Sequence, residues 1–516
     1  MLTRDNLIEK LKSNIEWDVV VIGGGATGLG TALDAVSRGY NTLLVEGADF
    51  AKGTSSRSTK LVHGGVRYLA QGDIRLVREA SIERGILYRN APHLVRNQTF
   101  IIPVYGYWDM LIYGIGLKLY DWISGKFSLG SSISISRKET IKRLPGISTE
   151  GLVGGVLYHD GQFDDARLAV NLVQTIIDRG GCAVNYTRVT GLLKNGIKRM
   201  EGVVVQDMET GSVYEIRAKA VVNATGVFVD EVMALDNPGR TKTISVSQGV
   251  HLVLDRKFYP SDDALMIPRT SDGRVLFAVP WHHTVVVGTT DTPVNEASLE
   301  PKALDNEIDF ILETASAYFS LKPERKDVLS VFAGLRPLAA PQRDHQKTKE
   351  ISRSHKIIVS PSCLFTILGG KWTTYRKMGE DMINRIEKEL QWNSKTSLTT
   401  GLHIHGYQQK VNWSEPFYFY GSDASAIQHQ SENEGEWISE SLKIHAVQVK
   451  WAVEKEMART VEDVLARRTR ALFLNAAESI RMAPKVAAIM ATLLQKDEYW
   501  IEEQVAAYTH LAYQYF

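Results

Sequence analysis

The stretch WDVVVIGGGATGLGTALDAVSRGYNTLLVE, residues 17–46, decides the fold. Its first part, residues 19–22, is an uninterrupted apolar run, which is typical of a parallel strand buried on both faces. Residues 26–38 predict a helix with small residues on its packing side, and residues 41–45 predict a second buried strand. A strand, a glycine-rich turn, a helix and a second strand in this order form the βαβ unit that binds dinucleotides.

The glycines between the first strand and the helix follow the spacing G-x-G-x-x-G. Gly23 permits a tight turn, Gly25 lets the backbone approach a pyrophosphate, and Gly28 allows the helix to pack closely on the strand. The helix N-terminus offers free N–H groups and a partial positive charge to the phosphates. Glu46, eighteen residues after Gly28, can accept hydrogen bonds from a ribose diol. A carboxylate there favours an unphosphorylated ribose, so the sequence predicts FAD or NAD rather than NADP.

Length and composition are those of a globular protein with several domains. The 516 residues exceed the size at which single cores stop growing, roughly 250–300 residues. With 60 basic and 59 acidic residues the net charge is +1, and nothing global points to nucleic acid. The two cysteines, Cys182 and Cys363, cannot form a disulfide framework and lack metal-site spacing. We therefore predict no metal, and we find no secretory signal in the polar, amphipathic N-terminus.

No stretch reaches the ~20 apolar residues that would span a bilayer. The nearest approach is YWDMLIYGIGLKLYDWI, residues 107–123, which three charged residues interrupt. Its aromatic residues are types that favour membrane interfaces. Two interpretations stay open: a helix packed on the protein's own core, or an interfacial attachment to a membrane. The apolar stripe at helical spacing comprises Leu111, Ile112, Ile115, Leu119, Trp122 and Ile123.

Beyond Glu46 the sequence changes character several times. Residues 47–73 form a long Gly-, Ser- and Thr-rich loop, of the kind that is usually functional in compact domains. We expect an antiparallel meander within residues 182–216 and a buried strand with a small turn at residues 219–226. Short strands within residues 241–292 indicate a sheet-built domain that is inserted into the first fold. The polar residues 396–433 predict a loop-rich linker, after which three or four helices follow.

Seven motifs, taken in order, resemble those of the FAD-dependent sn-glycerol-3-phosphate dehydrogenases of the quinone-linked, aerobic type. This family belongs to the glycine oxidase and D-amino-acid-oxidase-like flavoprotein superfamily. The resemblance is strong over residues 17–390 and looser through LARRTRALFLN, residues 465–475. HGG-x-RYL and GGK-x-TTYR are far more specific than the glycine fingerprint. The motifs are VIGGGATGLG, TSSRSTKLVHGGVRYL, DDARL, VNATG, VVVGTTD, AGLRPL and GGKWTTYRKM.

With this resemblance the segments predict an α/β plus α+β protein. We expect a Rossmann-like FAD-binding domain, an inserted sheet-based substrate or cap domain, and a C-terminal helical domain. The predicted ranges are 1–105 with 150–240 and 330–392 for the FAD-binding domain, 106–149 with 241–329 for the substrate or cap domain, and 393–516 for the C-terminal domain.

The resemblance implies that a hydride passes from C2 of glycerol 3-phosphate to flavin N5, which gives dihydroxyacetone phosphate. A phosphate monoester carries nearly two negative charges, so its site needs fixed cations and bidentate donors. Arg67, Arg336 and Lys371 match the family's substrate-binding positions. Tyr68 follows Arg67 directly, and its hydroxyl could orient the substrate or its ring could pack against the flavin edge.

Hydride departure also requires the C2 hydroxyl to lose its proton, so a general base is needed. His63 and His251 match histidines of the family's HGG and GxH motifs, and either could serve. His282 and His283 lie in a predicted turn and are expected to be solvated.

The cofactor positions carry over from the family in three groups. Two bulky residues, Arg57 and Trp372, stand where the family commonly has smaller ones, and they could alter access for the electron acceptor. The matching positions are Gly23, Gly25, Gly28 and Glu46 for the ADP portion, Thr54, Ser55 and Ser56 near the pyrophosphate, and Gly226, Gly370 and Thr373 around the flavin.

The resemblance further implies a quinone acceptor, peripheral attachment to the inner face of the cell membrane from the cytoplasm, and a homodimer. One rival is the related oxidase, which passes electrons to O₂ and makes peroxide. Its members carry an extra segment, and residues 291–336 leave no room for one. An amine or 2-hydroxy-acid oxidase would need one arginine to bind a carboxylate, and the set of three cations argues against that activity. A flavin-bearing scaffold without turnover is a rival of another class, against which the intact motifs argue.

Overall fold

The computed structural model describes residues 3–13, 15–66, 69, 72–270, 273–339 and 355–516 of the chain. Within these ranges, strands are interspersed with helices up to about residue 390, and helices dominate beyond it. The strands are β1 (Trp17–Ile22), β2 (Thr42–Val45), β3 (Leu61–Val62), β4 (Val95–Val104), β5 (Ile133–Ser136), β6 (Gly154–Phe163), β7 (Cys182–Val184), β8 (Thr187–Lys194), β9 (Met200–Asp207), β10 (Val213–Asn223), β11 (Ile244–Asp255), β12 (Ala264–Ile267), β13 (Leu276–Trp281), β14 (Thr284–Gly288), β15 (Thr292–Val294), β16 (Val328–Ala339), β17 (Lys356–Val359), β18 (Leu364–Leu368), β19 (Trp437–Ser439) and β20 (Ile444–His445).

The helices pack on both sides of the first sheet, against the second sheet and against one another in the C-terminal part. They are α1 (Arg4–Lys12), α2 (Ala26–Ser37), α3 (Ile74–Asn90), α4 (Tyr107–Ser124), α5 (Arg137–Arg143), α6 (Asp165–Asp178), α7 (Val229–Asp236), α8 (Asp305–Tyr318), α9 (Tyr375–Glu389), α10 (Ala424–Asn433), α11 (Ala446–Glu456), α12 (Ala471–Leu474), α13 (Ala476–Leu494) and α14 (Glu498–Ala512).

The predicted βαβ unit lies at the centre of the first sheet. The strand order is β17-β18-β10-β1-β2-β7, and β1 runs parallel to both of its neighbours, β10 and β2. Val19, Val20 and Val21 are fully buried because helices cover both faces of the sheet. The predicted strand–helix–strand order is therefore confirmed, with α2 beginning after Gly25.

Helices α2 and α9 touch backbone to backbone through a pair of glycines. A Cβ atom added at Gly30 would lie 2.4 Å from the carbonyl oxygen of Tyr375, and one added at Gly379 would lie 2.2 Å from the carbonyl oxygen of Gly30. No larger residue fits at either position without moving a helix. This contact brings the start of α9, and the loop before it, beside the dinucleotide turn.

One part of the predicted meander is wrong. β7 does not pair with antiparallel neighbours but lies parallel to β2 at the end of the first sheet. The antiparallel strands are β8, β9 and the first half of β10, and β10 then continues into the sheet centre beside β1. A short apolar run carries no information about the direction of its neighbour, so the sequence could not distinguish the two pairings.

The second sheet is built on the long antiparallel pair of β11 and β16. Its strand order is β15-β11-β14-β13-β12-β4-β6-β3, with β16 on β11 and β5 on β6. β4 and most of β16 lie in ranges that were predicted for the FAD-binding domain, yet they hydrogen-bond into this sheet. The predicted domain boundaries stay a prediction, and the strand pairing shows that the chain crosses between the two sheets more often than they imply.

Buried ion pairs join the C-terminal part to the loop after β2. Asp49 pairs with Arg467 and Arg468, and all three side chains are almost fully buried. Burial raises the pKa of Asp49, but the charges and hydrogen bonds of Arg468 and Arg467 outweigh it and leave this pKa below its ordinary value. These arginines lie on a π-helical turn, Asp463–Arg468.

Helix α4 is amphipathic, and its apolar outer side faces away from the protein. Trp108, Ile112, Ile115 and Trp122 are 61–78% exposed, whereas Tyr120 on the inner side is 2% exposed. The helix therefore packs on the protein's own core through Tyr120, but most of the predicted apolar stripe lies outside that contact, and attachment to a membrane stays a prediction. None of the described helices has the length and apolar character to cross a bilayer.

Candidate active site

A large cavity, of about 650 Å³, lies between the first sheet and the β11–β16 pair of the second. Its volume is in the range of sites for small ligands and cofactors. The βαβ turn, the loop after β2, the turn after β10 and the loop before α9 all contribute to its wall. The predicted site residues that line it are Gly23, Gly25, Glu46, Thr54, Ser55, His63, Gly226, His251, Arg336, Gly370, Lys371 and Thr373.

The dinucleotide turn has the geometry that its glycines predict. Gly23 has φ +109°, and a Cβ atom there would lie 2.7 Å from the carbonyl oxygen of Ala224. A Cβ atom at Gly28 would lie 1.9 Å from the carbonyl oxygen of Gly23, so Gly28 acts through close packing and does not line the cavity. Gly25 caps α2 at the cavity wall, where the helix N-terminus faces the space that phosphates would fill.

Glu46 directly follows β2 and lies at the cavity wall. Its carboxylate accepts hydrogen bonds from the backbone N–H groups of Gly24 (2.6 Å) and Ala48 (2.9 Å). Burial raises the pKa of Glu46, and these two hydrogen bonds oppose the shift only in part. The two bonds fix the carboxylate in orientation, beside the turn that would hold the pyrophosphate.

Residues 54–56, which we call the hydroxyl loop, follow β2, and only two of their three side chains line the cavity. Ser55 lines the cavity, and its Oγ accepts a hydrogen bond from the N–H of Ala26 in the first turn of α2 (3.0 Å). Thr54 also lines the cavity, whereas Ser56 is fully buried and is not among the lining residues. The side chain of Ser56 is therefore placed away from the predicted pyrophosphate position. The residues of this loop and turn fit a dinucleotide such as FAD.

Two of the three predicted cations, Arg336 and Lys371, line the same cavity although 34 residues of chain separate them. The guanidinium of Arg336 lies 3.3 Å from Asp291 and donates to Thr289 Oγ1 at 3.1 Å. These contacts fix its direction before any ligand binds. The third cation, Arg67, and its neighbour Tyr68 lie outside the described residues.

Both predicted histidines line the cavity. The ring of His251 stacks on Phe332, and its Nε2 lies 2.9 Å from Thr59 Oγ1. Burial, together with the charges of Arg336 and Lys60, holds the pKa of His251 well below its ordinary value, so the imidazole is neutral at pH 7. His63 is half-buried, and its backbone N–H donates to Thr373 Oγ1 at 3.3 Å.

Two expectations about neighbouring residues need correction. His282 is not solvated: its Nε2 lies 3.3 Å from Asp164, and its ring stacks near Tyr418. Arg57 lines the cavity, but its guanidinium points away, to Glu300 (2.6 Å) and to the hydroxyl of Tyr515 (3.1 Å). It therefore ties the hydroxyl loop to the end of the chain.

Trp372 forms part of the cavity wall and is 9% exposed. Its Nε1 donates to the carbonyl oxygen of Ser55 at 2.7 Å, so this bulky residue links the loop before α9 to the hydroxyl loop. Sequence reasoning did not assign Asp291, which holds Arg336 from the end of the VVVGTTD motif. The signal was an acid in the short turn between β14 and β15, beside β11, on which Arg336 of β16 also pairs.

Comparisons with known proteins agree with this geometry. The model of the family "FAD dependent oxidoreductase" matches residues 18–371, and the model "C-terminal domain of alpha-glycerophosphate oxidase" matches residues 409–500. The mitochondrial glycerol-3-phosphate dehydrogenase of Bos taurus is 39% identical over 98% of this chain and 74% of its own length. The corresponding protein of Homo sapiens is 38% identical with the same coverage.

A solved structure supports the same grouping, and a second one shares the fold. The glycerol-3-phosphate dehydrogenase from Bacillus halodurans, complexed with FAD, superposes with a TM-score of 0.80 at 31% identity, over 99% of this chain and 97% of that one. L-alpha-glycerophosphate oxidase from Mycoplasma pneumoniae superposes with a TM-score of 0.57 at 16% identity, over 75% of this chain and 98% of that one. The second likeness shows the fold alone.

We expect Glu46→Gln to weaken FAD binding about tenfold or more, because the charged acceptor for the ribose hydroxyls is lost. FAD titration of the apoprotein measures this change. Glu16→Gln, which neutralises an exposed carboxylate just before β1, is the matched control and should bind FAD as the wild type does. Unchanged affinity in Glu46→Gln would contradict the ribose assignment.

Proposed function

The chain belongs to the family of FAD-dependent glycerol-3-phosphate dehydrogenases, and from this premise we propose that it oxidises sn-glycerol 3-phosphate to dihydroxyacetone phosphate. One observation carries the proposal: Arg336 and Lys371 line the same cavity as the dinucleotide turn. A cavity that joins a dinucleotide site to two cations suits a phosphorylated alcohol that a flavin oxidises.

The cations would bind the phosphate group of the substrate. A phosphate monoester needs donors with fixed directions, and the guanidinium of Arg336 has its direction set by Asp291 and Thr289. Lys371 adds a compact point charge from the loop before α9. Arg67 stays the predicted third cation, with Tyr68 beside it.

The reaction at C2 needs an acceptor for the hydride and a base for the proton of the hydroxyl group. Bound FAD supplies an acceptor for the hydride at flavin N5. The chain must take the proton of the C2 hydroxyl, and we assign this task to the pair His63 and His251, which both line the cavity. The neutral state of His251 suits it to accept a proton, and the hydroxyl of Thr59 orients its ring.

We further propose that the two electrons pass to a quinone in a membrane, to whose inner face the protein attaches peripherally from the cytoplasm. The exposed side of α4 supports this proposal, because an apolar helix face with Trp108 and Trp122 at its ends suits the interface between headgroups and acyl chains. A homodimer stays a prediction.

We expect anaerobic addition of glycerol 3-phosphate to bleach the flavin absorption of the purified protein, because the flavin takes up two electrons. Turnover with a quinone analogue, set beside the yield of peroxide in air, then distinguishes a dehydrogenase from an oxidase. An unchanged flavin spectrum would contradict the proposed activity and favour a flavin-bearing scaffold without turnover. One peroxide formed per substrate oxidised would favour the oxidase.

Arg336→Ala should raise the KM for glycerol 3-phosphate about ten- to hundredfold, since a hydrogen bond to a charged group contributes roughly 1.5–3 kcal/mol. Steady-state kinetics with a soluble dye measure the change. Arg217→Ala removes an exposed arginine of β10 and serves as the matched control. A wild-type KM in Arg336→Ala would refute the phosphate assignment.

Lipid vesicles or detergent should raise quinone reduction more than dye reduction, because only the quinone must be reached through an apolar phase. In Ile115→Glu we expect vesicle binding and quinone reduction to fall while dye reduction is kept. Ile197→Glu places the same charge on another exposed isoleucine, between β8 and β9. Equal losses in both variants, or activity with quinone that is independent of lipid, would contradict the membrane proposal.

A further inference from the structure

A side chain of helix α4 forms a hydrogen bond with the backbone of the HGG turn, residues 63–65. The backbone N–H of Gly64 lies 3.0 Å from the hydroxyl of Tyr120 and 3.3 Å from Oδ1 of Asp160. Gly64 directly follows His63, which lines the cavity. The inner side of the helix whose outer side is exposed thus reaches the backbone of the candidate active site.

The hydroxyl of Tyr120 uses its full hydrogen-bonding capacity in this place. It accepts from the N–H of Gly64 and from Nη1 of Arg84 (2.9 Å), and it donates to Oδ2 of Asp160 (2.9 Å). Arg84 also pairs with Asp160 at 2.7 Å, and the three side chains are almost fully buried. Burial and the charge of Asp160 raise the pKa of Tyr120, so the group stays a neutral phenol.

The approach of Tyr120 accounts for the glycine in the motif. A Cβ atom at residue 64 would lie 2.3 Å from the hydroxyl oxygen of Tyr120 and 2.6 Å from Oγ of Ser81. The turn is also held on its other side, because the N–H of His63 donates to Thr373 Oγ1. Two successive backbone N–H groups are therefore tied to two different elements, α4 and the loop before α9.

We propose that Tyr120 is a positioning residue, which fixes the backbone of the His63–Gly64 turn so that the imidazole of His63 keeps its place at the cavity wall. This proposal rests on the proposed function, since it assigns His63 to the reacting end of the substrate. Apolar packing of α4 alone would hold the helix but would not fix the direction of the Gly64 N–H.

The test compares three holoenzyme variants with the wild type. Tyr120→Phe keeps the ring and removes the hydroxyl. Tyr113→Phe removes a hydroxyl from the same helix that makes no hydrogen bond within the described part of the chain, and Val77→Ala weakens the apolar cluster around Tyr120 without touching its hydrogen bonds. Stopped-flow reduction of the flavin by glycerol 3-phosphate gives the limiting rate constant, and amide hydrogen exchange of residues 61–66 reports on the turn without substrate.

In Tyr120→Phe we expect the limiting rate constant to fall about tenfold, exchange in residues 61–66 to become faster, and FAD to stay bound. Tyr113→Phe should match the wild type, and Val77→Ala should lower the melting temperature without the tenfold loss of rate. Tyr120→Phe behaving like Tyr113→Phe, or faster exchange with an unchanged rate constant, would overturn the proposal. No flavin reduction in the wild type would instead refute the proposed function, while the exchange data would still test the hold of Tyr120 on the turn.

Discussion

The structure depends on the close approach of backbones around the first turn. The N-terminus of α2 can face a pyrophosphate only if no side chain fills the space between it and the neighbouring strands. Gly23 and Gly28 meet this condition on the strand side, where each would clash with a carbonyl oxygen if it carried a Cβ atom. Gly30 and Gly379 allow α2 and α9 to touch, and their contact sets where the loop that carries Lys371 ends. One steric constraint therefore positions both the cofactor turn and a proposed substrate cation.

Buried ion pairs fix the position of the C-terminal part, which the contacts between glycines do not constrain. Asp49 and Arg468 lose their water on folding, and such a pair is tolerated only where geometry and further hydrogen bonds are good. A pair of this kind adds little net stability compared with apolar packing, but it disfavours every arrangement that leaves one partner unpaired. The C-terminal part is thus held in one register against the loop after β2. Arg57, with Glu300 and Tyr515, extends the same connection to the end of the chain.

The sequence predicts those features that depend on neighbouring residues. The strand–turn–helix–strand order and the end position of Glu46 follow from local periodicity and spacing, and both are found. The direction of β7 and the partners of His282 and Arg57 depend on residues more than one hundred positions away, so no local pattern carries them. Ser56 shows the same limit on a smaller scale, because which hydroxyl of a loop faces a cavity depends on the turn geometry. The family motifs supplied the long-range information for Arg336 and Lys371, and they include Asp291 without indicating that it holds Arg336.

The electrostatics of His251 connect substrate binding with base catalysis under the proposed function. Arg336 contributes to the low pKa of His251, so in the ligand-free site the same cation that attracts a phosphate also makes the imidazole a weak base. A phosphate dianion bound to Arg336 would offset that positive charge and raise the proton affinity of the ring. The base would then gain strength only when the substrate is in place. Burial, the largest cause of the low pKa, persists when substrate binds, whereas the contribution of Arg336 is the part that the charge of a bound phosphate cancels.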